Sequence, residues 1–232
     1  MKRLFLASML ALAALAAPSA PAAPAKKAAA TRDWTKTVVA TPAGGFRMGN
    51  PAARVKLVEY GSLTCSHCAD FSRTGTAPLT ALVKSGKVSF EFRNFVLNGP
   101  DLAASLVARC GGPAKFFPVL GKMYASQDQW TGKISSMSEA EAERLKTLSR
   151  AQQLARVADL GGLTTLAAGS GISPQQAKKC LSDEAAVQRL ADMYEAAAKL
   201  GVDGTPSFSI NGALVHAHDW AELAPLIRKA GG

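Results

Sequence analysis

The chain has 232 residues, 48% of them hydrophobic, and a formal net charge of +10, which places it among globular proteins with one sizeable core or two small ones. Its basic residues are scattered, with only pairs such as Lys26-Lys27 and Lys178-Lys179. No basic run is interleaved with aromatics, so a nucleic-acid partner is not supported. Residues 1–22 begin with Lys2 and Arg3, continue with an apolar run from Leu4 to Ala17, and end in small residues and prolines. Ala20-Pro21-Ala22 and Ala23-Pro24-Ala25 both offer an A-x-A cleavage pattern. This reads as a cleaved secretory signal peptide of bacterial type, because the apolar run is shorter than the roughly 20 residues that span a bilayer. No later segment reads as membrane-spanning, so no stable membrane insertion is expected. Export permits disulfides, and four cysteines could form two.

Residues 23–36, rich in Ala, Lys and Pro, read as a flexible leader. Thr37 to Ala40 is β-branched and predicts an edge strand; Pro42 to Pro51 carries turn residues. Residues 54–60 alternate and predict a strand. A helix opens at Cys65, capped by Thr64, and runs to about Lys84 with a break between Gly75 and Pro78. Residues 87–95 alternate again, with Val88, Phe90 and Phe92 on one face. Strand, helix and strand in so short a span make a β-α-β unit with a parallel pair.

Residues 101–200 change texture: apolar residues recur at helical spacing and strand signals vanish. Leu102, Leu106 and Cys110 share a face. Ser138 with Glu141 reads as a capping box before a helix reaching Leu148. Ser173-Pro174 opens another helix. Val187, Leu190, Tyr194 and Ala198 form one stripe of a helix closed by Gly201. Pro206 to Ile210, Asn211-Gly212 and Ala213 to His216 then read as a β-hairpin, and Asp219 caps a last helix carrying Leu223, Leu226 and Ile227. The fold class is therefore α/β, a mixed central sheet flanked by helices, with an inserted all-helical domain. The expected divisions are 37–100, 101–200 and 201–232.

The Cys65-Ser66-His67-Cys68 motif falls at the first strand-to-helix turn. Disulfide exchange needs a thiolate near neutral pH, whereas a free cysteine is mostly protonated there. At a helix N-terminus Cys65 meets the positive end of the helix dipole and free N–H groups, and His67 can add a hydrogen bond or a charge. Cys65 is accordingly assigned as the exposed, attacked sulfur and Cys68 as the resolving one. Cys110 and Cys180 lie 70 positions apart in the helical block and could pair as a structural staple. His216 and His218 are read as surface residues, and the cysteine spacing argues against a zinc site. No metal or cofactor is called for.

Three stretches carry a narrower resemblance: VKLVEYGSLTCSHCADF, VSFEFRNFVLNGPDLAASLVARC and YEAAAKLGVDGTPSFSINGALV. Together they resemble the bacterial DsbA-like exported thiol:disulfide oxidoreductases, with a thioredoxin fold and a helical insertion, over most of residues 40–230. The resemblance implies a buried acid, Glu59, beneath the cysteines to shuttle the Cys68 proton, and a cis-proline, Pro206, exposing the Thr205 backbone to an extended substrate. It implies a periplasmic monomer acting on reduced or unfolded exported proteins and serviced by a quinone-linked membrane oxidase. Two positions depart from the strongest oxidants of the family: Ser66 stands where they carry proline, and Thr205 where they carry an aliphatic residue. The direction of exchange therefore stays open between disulfide donation and isomerisation or reduction. The short segment before the fold argues against an added oligomerisation domain of isomerase type. A peptide-binding or chaperone module with an incidental dithiol is the non-enzymatic alternative.

Overall fold

The computed structural model describes residues 32–232, so the signal-peptide reading of residues 1–22, and the leader reading as far as residue 31, lie outside the described residues. The leader expectation needs shortening at its other end. Trp34–Lys36 form a single 3-10 turn capped by Asp33, and the Trp34 ring lies against Gly86, where a Cβ would come within 2.8 Å of it. The aromatic ring gives this polar stretch something to bury.

Six strands form one sheet in the order β1-β2-β4-β3-β5-β6: β1 Val38–Ala40, β2 Phe46–Gly49, β3 Val55–Gly61, β4 Val88–Asn94, β5 Ser207–Ile210 and β6 Ala213–Val215. β3 and β4 run parallel, joined by helix α1, Ser66–Lys84; the other neighbours are antiparallel. In the parallel register Leu57 sits beside Phe90 and Glu59 beside Phe92, so the apolar residues of the two strands share the face that joins the core with Phe71, Leu79 and Val83 of α1.

β2 corrects the turn expected between Pro42 and Pro51. Four residues are too few for alternation to register, yet they hydrogen-bond to β4 and bring β1 with them. Phe46 anchors the strand, its ring centroid 4.5 Å from that of Phe116. Gly49 has φ +115° and lies where a Cβ would meet the Val88 carbonyl at 3.0 Å, so glycine is needed for both conformation and approach. The expected break in α1 is also absent: the helix is continuous with Pro78 inside it. Pro78 removes one helix hydrogen bond, but Phe71, Gly75, Leu79 and Val83 are buried on one face, and Gly75 gives room to the Phe71 ring, 2.9 Å from where its Cβ would be.

Between β4 and β5 run α2 Gly99–Arg109, α3 Pro113–Ala125, α4 Gln127–Ser135, α5 Glu139–Lys146, α6 Arg150–Gly161, α7 Leu163–Ala168, α8 Pro174–Leu181 and α9 Glu184–Lys199. Their buried residues, among them Phe116, Trp130 and Leu163, belong to the same contiguous core as the sheet residues Leu57, Phe92 and Phe208. The inserted helices thus share a core with the sheet. Ser138 does accept the Glu141 N–H, but the Glu141 carboxylate goes to Arg156 instead of back to the cap, and α5 stops at Lys146. The reciprocal box forms at Ser149 and Gln152, opening α6. In α9 the buried stripe is Leu190, Met193 and Ala197, while Tyr194 and Ala198 are exposed. The expected stripe is rotated by one residue because Tyr194 lies over Phe95 at the surface, with ring centroids 4.4 Å apart. Asn211 at φ 53° and Gly212 at φ 90° turn the hairpin. Asp219 caps α10, Trp220–Lys229, which buries Leu223 and Ile227.

Candidate active site

β3 delivers the chain to Gly61, and Ser62 to Thr64 turn it into α1. The N-cap is Cys65 itself, with φ −82° and ψ 120°, in place of the expected Thr64. Its sulfur does what a serine or aspartate oxygen does at other helix starts, accepting the Cys68 backbone N–H at 3.3 Å. Thr64 instead exchanges hydrogen bonds with Ser62 and Asn98. In the dithiol state the Cys65 thiol donates to the Thr205 carbonyl at 3.2 Å, which brings the loop before β5 over the half-buried sulfur; the Thr205–Pro206 peptide bond is cis.

These contacts set the ionisation of the pair. The Cys65 thiol is lowered to about 5, chiefly by a hydrogen bond from the Cys68 thiol; partial burial opposes this, and the Thr205 side chain and the Cys68 and His67 backbone N–H groups add to it. Cys68 is wholly buried, and burial, the hydrogen bond to Cys65 and the charge of Glu59 push its thiol far upward. Glu59 is 3% exposed, and one carboxyl oxygen has no hydrogen-bond partner. Burial, with the Cys65 charge second, raises it to about 8. His67 contributes differently from expectation. Its imidazole is exposed and makes no hydrogen bond to either sulfur, and its effect on Cys65 comes from the backbone N–H. On the first turn of α1 it is the Cys68 side chain that faces the core, and Ser66 and His67 lie on the exposed side.

Three buried residues of the inserted helices hold the turn, and none of them was singled out from the sequence. Asp101 accepts the Leu63 N–H at 2.9 Å and the Leu97 N–H at 3.0 Å. Tyr124 donates to the Ser62 carbonyl at 3.1 Å. Gln127 donates to the carbonyls of Leu63 at 2.8 Å and Cys65 at 2.9 Å. Leu97 apart, they lie between 38 and 64 positions from their partners, beyond the reach of any local pattern. Only the Asn98-Gly99-Pro100-Asp101 start signature of α2 marks one of them out. A cavity of about 730 Å³ between α1, α3 and α4 opens beside this turn, lined by Ser66, Asp70, Arg73, Tyr124, Gln127 and Asp128 among others.

Cys110 and Cys180 are bonded, with S–S 1.99 Å and Cα–Cα 5.7 Å, and tie the C-cap of α2 to α8. His216 and His218 are exposed beyond β6, where the His218 N–H donates to Glu222. Among the described residues no three His, Cys, Asp or Glu side chains gather as metal ligands. No described helix is long and apolar enough to cross a membrane.

A β-α-β unit with a cysteine pair capping its helix, a proline loop laid over the half-buried sulfur and helices inserted before the closing hairpin define a thioredoxin-fold dithiol protein of DsbA-like architecture. The thioredoxin family model matches residues 41–229, and the chain belongs to that family. A Rickettsia bellii protein named as a protein-disulfide oxidoreductase is 30% identical over 188 residues, 79% of this chain and 63% of that protein. A Rickettsia typhi counterpart is 30% identical over 88% of this chain and 67% of its own length. The chain thus spans roughly two thirds of these relatives. Among solved structures, a protein-disulfide isomerase from Novosphingobium aromaticivorans superposes with a TM-score of 0.74 at 34% identity, covering 80% of this chain and 97% of that one. Wolbachia pipientis alpha-DsbA1 superposes at 0.65 with 22% identity, covering 83% and 92%, which bears on the fold alone.

Proposed function

We propose that the protein is a thiol:disulfide oxidoreductase that donates the Cys65–Cys68 disulfide to folding exported proteins in the bacterial periplasm. The observation that carries this reading is the Cys65 sulfur acting as the helix cap, with its thiol lowered to about 5. A stabilised thiolate stabilises the reduced pair, which makes the disulfide oxidising. In the forward reaction a substrate thiolate attacks Cys65 Sγ; the Cys65–Cys68 bond breaks and a mixed disulfide forms. Cys68 leaves and takes a proton, for which the raised carboxyl of Glu59 is the nearby source. A second substrate thiolate attacks the substrate sulfur of the mixed disulfide and expels Cys65 as a thiolate. Two electrons have then passed from the substrate dithiol to the pair. Thr205 and Pro206 border the attacked sulfur, and the Thr205 backbone offers an extended substrate a strand-like partner. By resemblance, a quinone-linked membrane oxidase restores the disulfide, the protein works as a monomer, and no cofactor takes part.

The second reading is isomerisation or reduction on the same site. It is favoured by the name of the Novosphingobium aromaticivorans neighbour and by Ser66 and Thr205. The deciding experiment measures the reduction potential of the pair and, in parallel, oxidation of a reduced unfolded protein, rescue of a scrambled one, and insulin reduction. Donation predicts an oxidising potential and fast substrate oxidation. A reducing potential with rescue of scrambled disulfides overturns donation. Full activity in Cys65→Ala overturns exchange altogether and leaves the non-enzymatic binding module.

A further inference from the structure

Gln127 is 5% exposed and is the first residue of α4, in the inserted helices. Its amide Nε2 bridges two carbonyls of the active-site turn, Leu63 at 2.8 Å and Cys65 at 2.9 Å. The Cys65 carbonyl also receives the Ala69 N–H at 3.2 Å as the first bond of α1, whereas Gln127 is the donor that satisfies the buried Leu63 carbonyl among the described residues. Both carbonyls belong to residues within two positions of the reacting sulfur, and a partial negative charge close to a sulfur disfavours its thiolate. A donor that engages both offsets that effect and adds the positive end of its own dipole. The residue type suits the place. A lysine would have to bury a charge, and a glutamate of the same length would set a third acceptor against two others.

The turn has anchors besides Gln127. Asp101 holds the Leu63 N–H, Tyr124 holds the Ser62 carbonyl and Asn98 holds the Thr64 hydroxyl. Loss of Gln127 therefore leaves the turn anchored at three other points while two carbonyls lose a donor. We infer that Gln127 is a positioning residue through which the inserted helices tune the thiolate of Cys65, making the insertion part of the redox machinery as well as of the core. The inference rests on the exchange chemistry proposed for Cys65 and Cys68, but not on its direction in the cell.

The test uses the full chain with Gln127→Met, which keeps side-chain length and removes the donor, and Gln127→Glu, which reverses it. Trp130→Phe is the control: it removes another buried hydrogen bond of α4, from Trp130 Nε1 to the Met123 carbonyl, and touches neither Leu63 nor Cys65. Thiolate absorbance at 240 nm reports the ionisation of Cys65, and equilibration with glutathione reports its redox poise. Gln127→Met should raise the Cys65 midpoint by about one unit and lower the oxidising equilibrium constant about tenfold, equivalent to about 30 mV. Gln127→Glu should do more, and Trp130→Phe should move neither while lowering Tm. An unchanged midpoint and equilibrium in Gln127→Met beside a lowered Tm overturns the inference and leaves Gln127 a packing residue. Should the variants fail to fold, the Gln127 side-chain amide resonance of the wild-type protein carries the test: it should shift with the Cys65 midpoint, and a resonance that does not move overturns the inference. Full exchange activity in Cys65→Ala would instead refute the exchange reading on which the inference rests.

Discussion

The two cysteine pairs of this molecule show how placement alone separates a reactive dithiol from a staple. Cys65 and Cys68 are three positions apart at the start of a helix, and the structure holds them as a hydrogen-bonded dithiol. Backbone N–H groups of the helix start act on one sulfur, and a buried carboxyl with one unpartnered oxygen acts on the other. Cys110 and Cys180 sit at the C-terminal ends of their helices, where the dipole disfavours a thiolate, and no comparable set of donors converges on them. Their bond closes a loop of 70 positions. In the first pair the difference between the two sulfurs is what the proposed exchange would use. In the second, what the bond constrains is the chain between them.

Several measurements would break or sharpen that contrast. The largest expected effect is at the attacked sulfur: Cys65→Ser should lower exchange with a reduced substrate at least about a hundredfold while mass spectrometry still finds Cys110 bonded to Cys180. Replacing both Cys110 and Cys180 by Ala should do the reverse. Urea unfolding should show a loss of about 4 kcal/mol, from the chain entropy of so long a loop, with the Cys65 titration in place.

Glu59 supplies the next test. Its folded-state ionisation is raised to about 8 from an ordinary 4.5, so the fold binds the proton more tightly than the unfolded chain does. Its contribution is therefore fully present below about 4.5 and is lost as the pH rises through about 8. Glu59→Gln removes that loss, and its stability gain over wild type should grow with pH, up to about 4 kcal/mol at pH 8. Exchange should slow several-fold, because Cys68 loses its proton source. Cys65 has the opposite sign. Depressed to about 5 from 9.0, it stabilises the reduced fold above its unfolded value and loses that contribution as the pH falls through about 5. The disulfide form has no such titration. The stability advantage of the reduced over the oxidised protein should therefore shrink as the pH falls from 9 toward 5, and a pH-independent difference would count against a tuned thiolate. The smallest effect is expected at Thr205→Val, which removes the hydroxyl that helps to lower the Cys65 thiol and keeps the carbonyl that the thiol contacts. The Cys65 midpoint should rise by less than one unit, and the mixed disulfide should persist longer because Cys65 is a poorer leaving group.

Much of this contrast was legible in the sequence. The spacing of Cys65 and Cys68 after an alternating strand, the late Thr205-Pro206 followed by an Asn-Gly hairpin, and the helical texture between them outlined the fold and brought out the candidate site. What the sequence misread has physical causes. β2 was hidden among turn residues, the α1 proline looked like a break, the α9 stripe was set one residue off, and His67 was credited with an imidazole contact. For β2 and α9 a neighbour distant in sequence decided the outcome, β4 for β2 and Phe95 for Tyr194; for α1 it was the burial of Phe71, Leu79 and Val83 in the shared core, and for His67 the helix start itself.

By itself, then, the sequence determined which sulfurs could react and on which type of turn, because strand alternation, helix starts and cysteine spacing are local properties of the chain. Only the tertiary structure decided how they are tuned. Cys65 became its own cap, Cys110 met Cys180, and Asp101, Tyr124 and Gln127 came from the inserted helices to hold the turn, because hydrogen bonds and burial act over ångströms in space whatever the separation along the chain.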